Sequence, residues 1–238
     1  MPEEIPIEVA ENLAAFSSPQ AIADLSVYRL YTEEQYLFPK YYKAGETVLD
    51  LACGMGRTTL LLYEMGLIVR GVDRSEVLIE LARRRLPYLD LRVGSYDHIE
   101  EPDASFAHVI ISHNGIDYAI PATQRLDALR ECARVLKPGG TFIYSSHNLK
   151  SLHWFSPYYR DRLIWKLRNC IKAFKSSDYI VEDGVHAFYA SPDFVVKQTE
   201  DVGLKLIEMK GFSKIGIERL DRFFSPYVHY VFLKPVVG

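Results

Sequence analysis

From Thr47 onward, short apolar runs alternate with stretches whose apolar residues recur at helical spacing. A first apolar run ends at Asp50-Leu51, and a helical pattern follows over 57–65. A second run, 67–72, leads to a helix over 75–86, where Ser75 is a plausible N-cap and Pro87 marks the end. Leu89, Leu91 and Val93 alternate as a third strand. Residues 106–112 form a fourth, whose Val109-Ile110-Ile111 centre fits a strand buried on both faces. A helix over 121–136, a fifth strand over 141–145, a helix over 192–202 and strands over 204–209 and 227–233 complete the order. Such alternation builds a parallel sheet with helices against it.

Two regions stand apart from this rhythm. Residues 1–46 carry Tyr28, Tyr31, Tyr36, Phe38, Tyr41 and Tyr42, and their spacing permits one or two helices packed over the carboxyl edge of the sheet. Residues 147–190 are longer than an ordinary strand-to-helix connection and are expected to cap a substrate. This insert holds His147, Asn148, His153, Trp154, Tyr158, Tyr159, Trp165, Tyr179, His186 and Tyr189. Arg160, Arg162, Lys166, Arg168, Lys172 and Lys175 cluster around an amphipathic pattern over 159–174, which suits a solvated helix face, an anionic partner or a membrane surface.

A chain of 238 residues that is 48% apolar can bury the core of one large α/β domain. Its 28 basic and 31 acidic residues give a net charge of −3, which argues against a dedicated nucleic-acid surface. No apolar run approaches the roughly 20 residues that span a bilayer. With Glu3, Glu4, Glu8 and Glu11 at its start, the chain is expected to be cytoplasmic. Cys53, Cys132 and Cys170 are odd in number and widely spaced, so neither a disulfide framework nor a metal site is expected.

The candidate chemistry lies at the first strand. Asp50-Leu51-Ala52-Cys53-Gly54-Met55-Gly56 takes the chain from an apolar run through two glycines into a helix, and bare glycine backbone lets a ligand lie close. Asp73 closes the second run, where a carboxylate can accept both hydroxyl hydrogens of a ribose. Dinucleotide-binding loops share these glycines and this spacing. Two residues separate the readings. Thr59 fills the slot where a pyrophosphate loop needs glycine or alanine, and Asp50 would repel phosphate and attract an ammonium group. A ligand with a cation and no phosphate fits better.

Here the sequence resembles the class I S-adenosylmethionine-dependent methyltransferases, in particular bacterial enzymes acting on small molecules. The segment 50–56 looks like their first motif and Asp73 like their ribose-binding acid. Arg134-Val135-Leu136-Lys137-Pro138-Gly139-Gly140-Thr141 looks like the passage into their fifth strand. The resemblance implies an α/β, Rossmann-like, mostly parallel seven-stranded sheet with helices on both faces and the last strand antiparallel. It also implies an N-terminal helical cap (1–46), a cofactor-binding core (47–146), the insert after the fifth strand (147–190) and a C-terminal part of the sheet (191–238). S-adenosyl-L-methionine would be held by Asp50, Ala52, Cys53, Gly54, Gly56, Asp73, Arg74 and Ser112, with Ser95, Tyr96 and Asp97 around the adenine. An acid often follows the glycine after the third strand in this family, whereas Gly94 here precedes Ser95, and Asp97 comes two positions later.

Open α/β sheets bind ligands at the carboxyl ends of their strands. The fourth and fifth strands end in Ser112-His113-Asn114 and Ser146-His147-Asn148. Methyl transfer to a hydroxyl needs an aligned acceptor and a base, so His113 and His147 are candidate catalytic residues. Asn114, Asp117, Tyr118, Asn148, Trp154 and Tyr31 are candidate acceptor-binding residues. The signatures of protein-arginine and DNA methyltransferases after the fourth strand are absent. The expected activity is transfer of a methyl group to an oxygen or nitrogen of a small polar molecule such as a sugar or glycan precursor. The expected partner is that acceptor, with neither nucleic acid nor stable membrane insertion. A catalytically silent binding module and a nicotinamide-dependent oxidoreductase remain the alternatives.

Overall fold

The computed structural model describes residues 5–151, 177–182, 185–211 and 225–236. Three helices open the chain: α1 (Ile7–Phe16), α2 (Pro19–Leu25) and α3 (Thr32–Tyr41). One or two were expected there. The extra break comes at Ser18, whose side chain accepts from the Ala21 amide and so caps α2, while Pro19 occupies its first turn. Strands β1 (Thr47–Leu51), β2 (Ile68–Asp73), β3 (Asp90–Val93), β4 (Phe106–Ile111) and β5 (Leu136–Asn148) follow, interleaved with α4 (Arg57–Glu64), α5 (Glu76–Arg85) and α6 (Ala122–Val135). They lie parallel in the order β3-β2-β1-β4-β5. After them come the hairpin β6 (Ser177–Glu182) and β7 (Val185–Ala190), helix α7 (Pro192–Glu200), and the strands β8 (Lys205–Gly211) and β9 (Tyr227–Leu233).

β9 runs antiparallel to β5, and β8 pairs antiparallel with β9. The sheet has nine strands because the end of the insert adds β6 and β7 to the seven expected, with β7 joining β5 only at His147 and Asn148. β5 also continues past residue 145, since Ser146 and His147 keep pairing with β9. Trp154, Cys170 and the expected amphipathic helix over 159–174 with its basic cluster lie outside the described residues. Among the described residues, no helix is long and apolar enough to cross a membrane.

The alternation in β4 separates two cores. Val109 and Ile111 join Leu49, Leu51 and Leu129 of α6 on one face, whereas Ile110 joins Val48, Ile143 and Val231 on the other. Leu37 and Phe38 of α3 are fully buried on that second face, and burial of each contributes roughly 1.5–3 kcal/mol. The N-terminal aromatics therefore belong partly to the core.

α3 is also fixed by charge. Glu34, 1% exposed, receives both terminal nitrogens of Arg57 at 2.7 and 2.8 Å, the Tyr31 amide at 2.8 Å, and the Ser112 hydroxyl. Burial alone would raise the Glu34 pKa, but the Arg57 guanidinium outweighs it and holds the carboxyl below its usual range. One ion pair thus joins the N-terminal helices, the first turn of α4 and the end of β4. Glu34→Gln leaves Arg57 buried without its counter-charge and should cost about 3–5 kcal/mol in urea unfolding. A loss under about 1 kcal/mol would mean that the pair does not anchor α3.

Beside it, Asp50 at the end of β1 is 1% exposed and accepts from Thr59 Oγ1 at 2.6 Å. Thr59 fits against the sheet because residue 71, opposite Asp50 on β2, is glycine: a Cβ there would lie 2.8 Å from Thr59 Oγ1 and 2.7 Å from Leu91. Burial pushes the Asp50 pKa up to about 7. An acid whose folded pKa exceeds its unfolded value binds its proton more tightly when folded, so its contribution declines as pH rises from about 4 to about 7. Asp50→Asn keeps the Thr59 bond and should flatten this decline, gaining stability over the natural protein at pH 8 relative to pH 5. Parallel pH–stability curves would rule out the burial of that charge.

Candidate active site

The site forms where β1, β2, β4 and β5 end. After β1 the chain turns through Ala52, at φ 53°, and Gly56, at φ 77°, before α4 begins. After β4 it turns through His113 and Asn114, both in the left-handed region at φ 50° and 58°. Two successive non-glycine residues there are uncommon, and such backbone clusters at functional positions. The two loops press together because residue 115 is glycine; a Cβ at that position would lie 2.7 Å from the Ala52 Cβ. His113 is thereby carried to the edge of the glycine loop.

A first cavity opens along that loop. Ala52, Cys53, Gly54, Asp73, Arg74, Tyr96, Ser112 and His113 line it, together with Arg57, Thr58 and Tyr118. Asp73 is oriented by two backbone amides, Gly54 N to Oδ2 and Ser75 N to Oδ1, each at 2.8 Å. Burial raises its pKa, an effect that these amides and Arg74 only partly offset. Tyr96 forms the wall next to Arg74, whose guanidinium lies 5.7 Å from the ring centre. Ser95 and Asp97 are off this wall: Ser95 donates to Asp97, and Gln124 donates to the other Asp97 oxygen at 2.7 Å. Gly56 caps α4 behind the cavity, and Asp50 lies beneath the loop.

The opposite wall comes from the N-terminal helices, which were expected over the carboxyl edge of the sheet. Val9, Asn12, Leu13 and Phe16 of α1, with Leu25 of α2, close over the glycine loop. α1 is tied down by a reciprocal pair, Asn12 Nδ2 to the His186 carbonyl at 2.8 Å and His186 N to Asn12 Oδ1 at 2.7 Å, so that β7 of the insert holds it. The expectation for this region rested on the aromatic residues between 28 and 42, and the lining residues of α1 were not singled out.

A second cavity adjoins the first. It is lined by Tyr31, Glu33 and Arg29 near α3, His113 and Asn114 after β4, Ser145 of β5, and Tyr227 and His229 of β9. His113 borders both cavities. Desolvation and the Arg57 guanidinium lower its pKa, so its ring is neutral and basic near pH 7. His229 was not singled out from the sequence. It is 8% exposed and its Nδ1 has no partner among the described residues; burial pushes its pKa down to about 4. The only signal for it was a histidine inside an otherwise apolar strand pattern.

Asp117 is fully buried and occupied by donors: Arg125 at 2.6 Å, the Ser146 hydroxyl at 2.8 Å, and the His147 amide and Nδ1 at 2.7 and 2.8 Å. It therefore orients His147 and does not face an acceptor. His147 is 8% exposed, stacked on Tyr189 at 4.4 Å, and lines neither cavity. Asn148 ties the end of β5 to the Ser225 carbonyl at 2.9 Å and lines neither, although its amide bonds to Pro226 of the second cavity's wall. Tyr118 faces the first cavity and Tyr31 the second. Cys53 and Cys132 are buried thiols whose pKa is raised by that burial, which makes them unreactive. Among the described residues, no cluster of three metal-ligating side chains occurs.

The donor set fits a cationic nucleoside. Asp50 Oδ1 is buried with no partner, Asp73 is held short of full charge compensation, and Tyr96 offers a ring face beside them. Asp73 and the backbone it holds suit ribose hydroxyls, and the uncompensated acids suit an ammonium or sulfonium. A phosphate would meet repulsion from both.

Comparison with known proteins agrees with this geometry. A methyltransferase-domain family model matches residues 48–140. A demethylmenaquinone methyltransferase of Symbiobacterium thermophilum is 33% identical over 147 residues, 57% of this chain and 55% of that protein. A ubiquinone biosynthesis O-methyltransferase of Coxiella burnetii is 26% identical over 185 residues, 74% of this chain and 71% of that protein. The chain spans between 39% and 71% of the length of the first curated relatives it matches. Among solved structures, a SAM-dependent methyltransferase from Methanosarcina mazei shares the fold with a TM-score of 0.66 at 18% identity, over 87% of this chain and 99% of that one. With the strand order in place, residues 48–140 form a methyltransferase domain, and the chain is similar to S-adenosylmethionine-dependent methyltransferases in sequence over that region and in fold.

Proposed function

We propose that this protein transfers a methyl group to an oxygen or nitrogen atom of a small polar molecule, with the acceptor seated in the second cavity. The observation that carries the reading is His113, which borders both cavities and has a lowered pKa. S-adenosylmethionine, when bound, supplies an electrophilic methyl carbon. Asp73 holds the ribose hydroxyls, Tyr96 flanks the adenine, and Asp50, buried beneath the glycine loop, adds negative charge behind it. His113 would take the acceptor's proton as the methyl carbon bonds to the acceptor and its bond to sulfur breaks, leaving S-adenosylhomocysteine, and would pass that proton to water through the cavity. For an amine acceptor the same ring positions the nucleophile. His147, locked to Asp117 and set back from the cavities, supports the loop.

Two measurements test the parts separately. Asp73→Asn keeps one acceptor oxygen for its backbone donors and removes the charge, so S-adenosylhomocysteine affinity should fall by roughly 1.5–3 kcal/mol, about ten- to hundredfold. Unchanged affinity in the folded variant would remove Asp73 from the site. His113→Gln should preserve that affinity while methyl transfer from labelled S-adenosylmethionine, screened over sugars and amines, drops by about 10²–10⁴-fold for a hydroxyl acceptor. The natural protein should show an acid limb with its midpoint below the ordinary histidine value of about 6.5, because the base must be unprotonated. If the variant keeps both the rate and that limb, His113 is not the base.

A further inference from the structure

The first cavity has a volume of about 130 Å³. Sites for small molecules and cofactors usually span roughly 300–1,000 Å³, so a nucleoside cofactor can enter only if the wall over the glycine loop moves outward. That wall is α1 and α2, and it is lightly held. α2 buries none of its residues and α1 buries only Val9 and Asn12, whereas Leu37 and Phe38 root α3 in the core. Segments with few buried contacts open at low cost. The pivot lies at Ser26 and Val27, just after α2. Beyond it the chain is pinned again, because the Tyr28 hydroxyl donates to the Met55 carbonyl at 3.2 Å and the Arg29 carbonyl accepts from Arg57 at 2.8 Å.

One side chain fastens this wall to the insert. β7 pairs with β6 along one edge, but on its other edge it meets β5 only at Tyr189 and Ala190. The backbone of His186 therefore lies beyond the reach of β5, and the Asn12 carboxamide takes the place of the missing strand. It donates to the His186 carbonyl at 2.8 Å and accepts from the His186 amide at 2.7 Å. A carboxamide carries a donor and an acceptor side by side, as a peptide group does, which suits it to cap a free strand edge. Glu11 Oε2 adds a contact to the His186 ring, 2.7 Å from Nε2. At the other end of α1, Phe16 lies edge-on to Tyr118, with ring centres 4.8 Å apart.

Resting on the methyltransferase reading above, we propose that α1 and α2 form a lid over the cofactor, latched by Asn12 to the β6–β7 hairpin, and that S-adenosylmethionine and S-adenosylhomocysteine pass only when this latch is released. The latch places cofactor exchange under the control of the insert: while the hairpin is in place and bonded to Asn12, the lid stays down. Asn12 also lines the cavity, so the loss of a latch has to be told apart from the loss of an ordinary cofactor contact. The two differ kinetically. A lost contact speeds departure of the ligand alone, whereas a lost latch raises the open fraction of the lid and speeds arrival and departure together.

The experiment uses the full chain and stopped-flow binding of S-adenosylhomocysteine, with excess S-adenosylmethionine as the chase. Asn12→Leu keeps the bulk of the side chain and removes both bonds to His186. It should raise the association and dissociation rate constants each by about tenfold, the effect of two lost hydrogen bonds, while their ratio stays within about threefold. Hydrogen exchange of the natural protein, read by mass spectrometry, gives a second test that stands even if the variant fails to fold. Saturating S-adenosylhomocysteine should slow exchange over residues 7–16 and 185–190 together. Unchanged rate constants, faster dissociation with unchanged association, or slowed exchange over 7–16 with none over 185–190 would each overturn the latch. Failure of the natural protein to bind S-adenosylhomocysteine would instead overturn the methyltransferase reading itself.

Discussion

The ion pair between Glu34 and Arg57 fixes the geometry on which both cavities depend. Arg57 opens the helix after the glycine loop, Glu34 sits in the first turn of α3, and Ser112 at the end of β4 bonds to both. The Arg57 guanidinium lies 4.6 Å from the Tyr31 ring centre, and Tyr31 in turn lies 5.4 Å from His113. A single buried contact therefore sets the distance between the cofactor loop, the N-terminal helices and the candidate base. Because the pair is desolvated, neither charge can move far without exposing the other to an uncompensated environment.

Around that pair the electrostatics are one-sided. Glu34 and Arg57 cancel, but Asp50 and Asp73 keep raised pKa values through burial. The same charge that lowers stability as pH rises gives a cationic ligand its reason to bind: the ligand supplies the positive charge that the fold withholds. On the acceptor side the polarity differs. His113 and His229 are both held toward the neutral form. The two adjoining cavities share one wall residue, His113.

Much of this was legible in the chain because the relevant signals are local. The order of β1, α4, β2 and α5 follows from apolar runs broken by Gly54, Gly56 and Gly66, and from the cap at Ser75, whose hydroxyl accepts from the Leu78 amide. Asp73 and the glycine loop are adjacent in space because β1 and β2 are adjacent in register. What could not be read depends on long-range partners. Ser146, His147 and Asn148 look like a polar loop, yet they continue β5: Ser146 and His147 pair with β9 and give side-chain or backbone donors to Asp117, about thirty residues earlier, and Asn148 donates to Pro226 and Ser225. His229 and Ser145 meet only through pairing between distant strands. The role of α1 as a cavity wall depends on the β6–β7 hairpin, whose pattern is hidden in an insert dominated by aromatic and basic residues. Ser95 and Asp97 were plausible adenine partners by position; neither lines the first cavity, and they bond to each other, to Gln124 and, at Ser95, to the lining Arg74.

The central claim is that the two cavities meeting at His113 are one active site. The crystal structure of the protein bound to S-adenosylhomocysteine tests it most directly. The account predicts the ribose on Asp73, the adenine beside Tyr96, and the sulfur facing the opening between the cavities next to His113. A ligand bound with its sulfur turned away from His113, or seated outside the glycine loop, would contradict it.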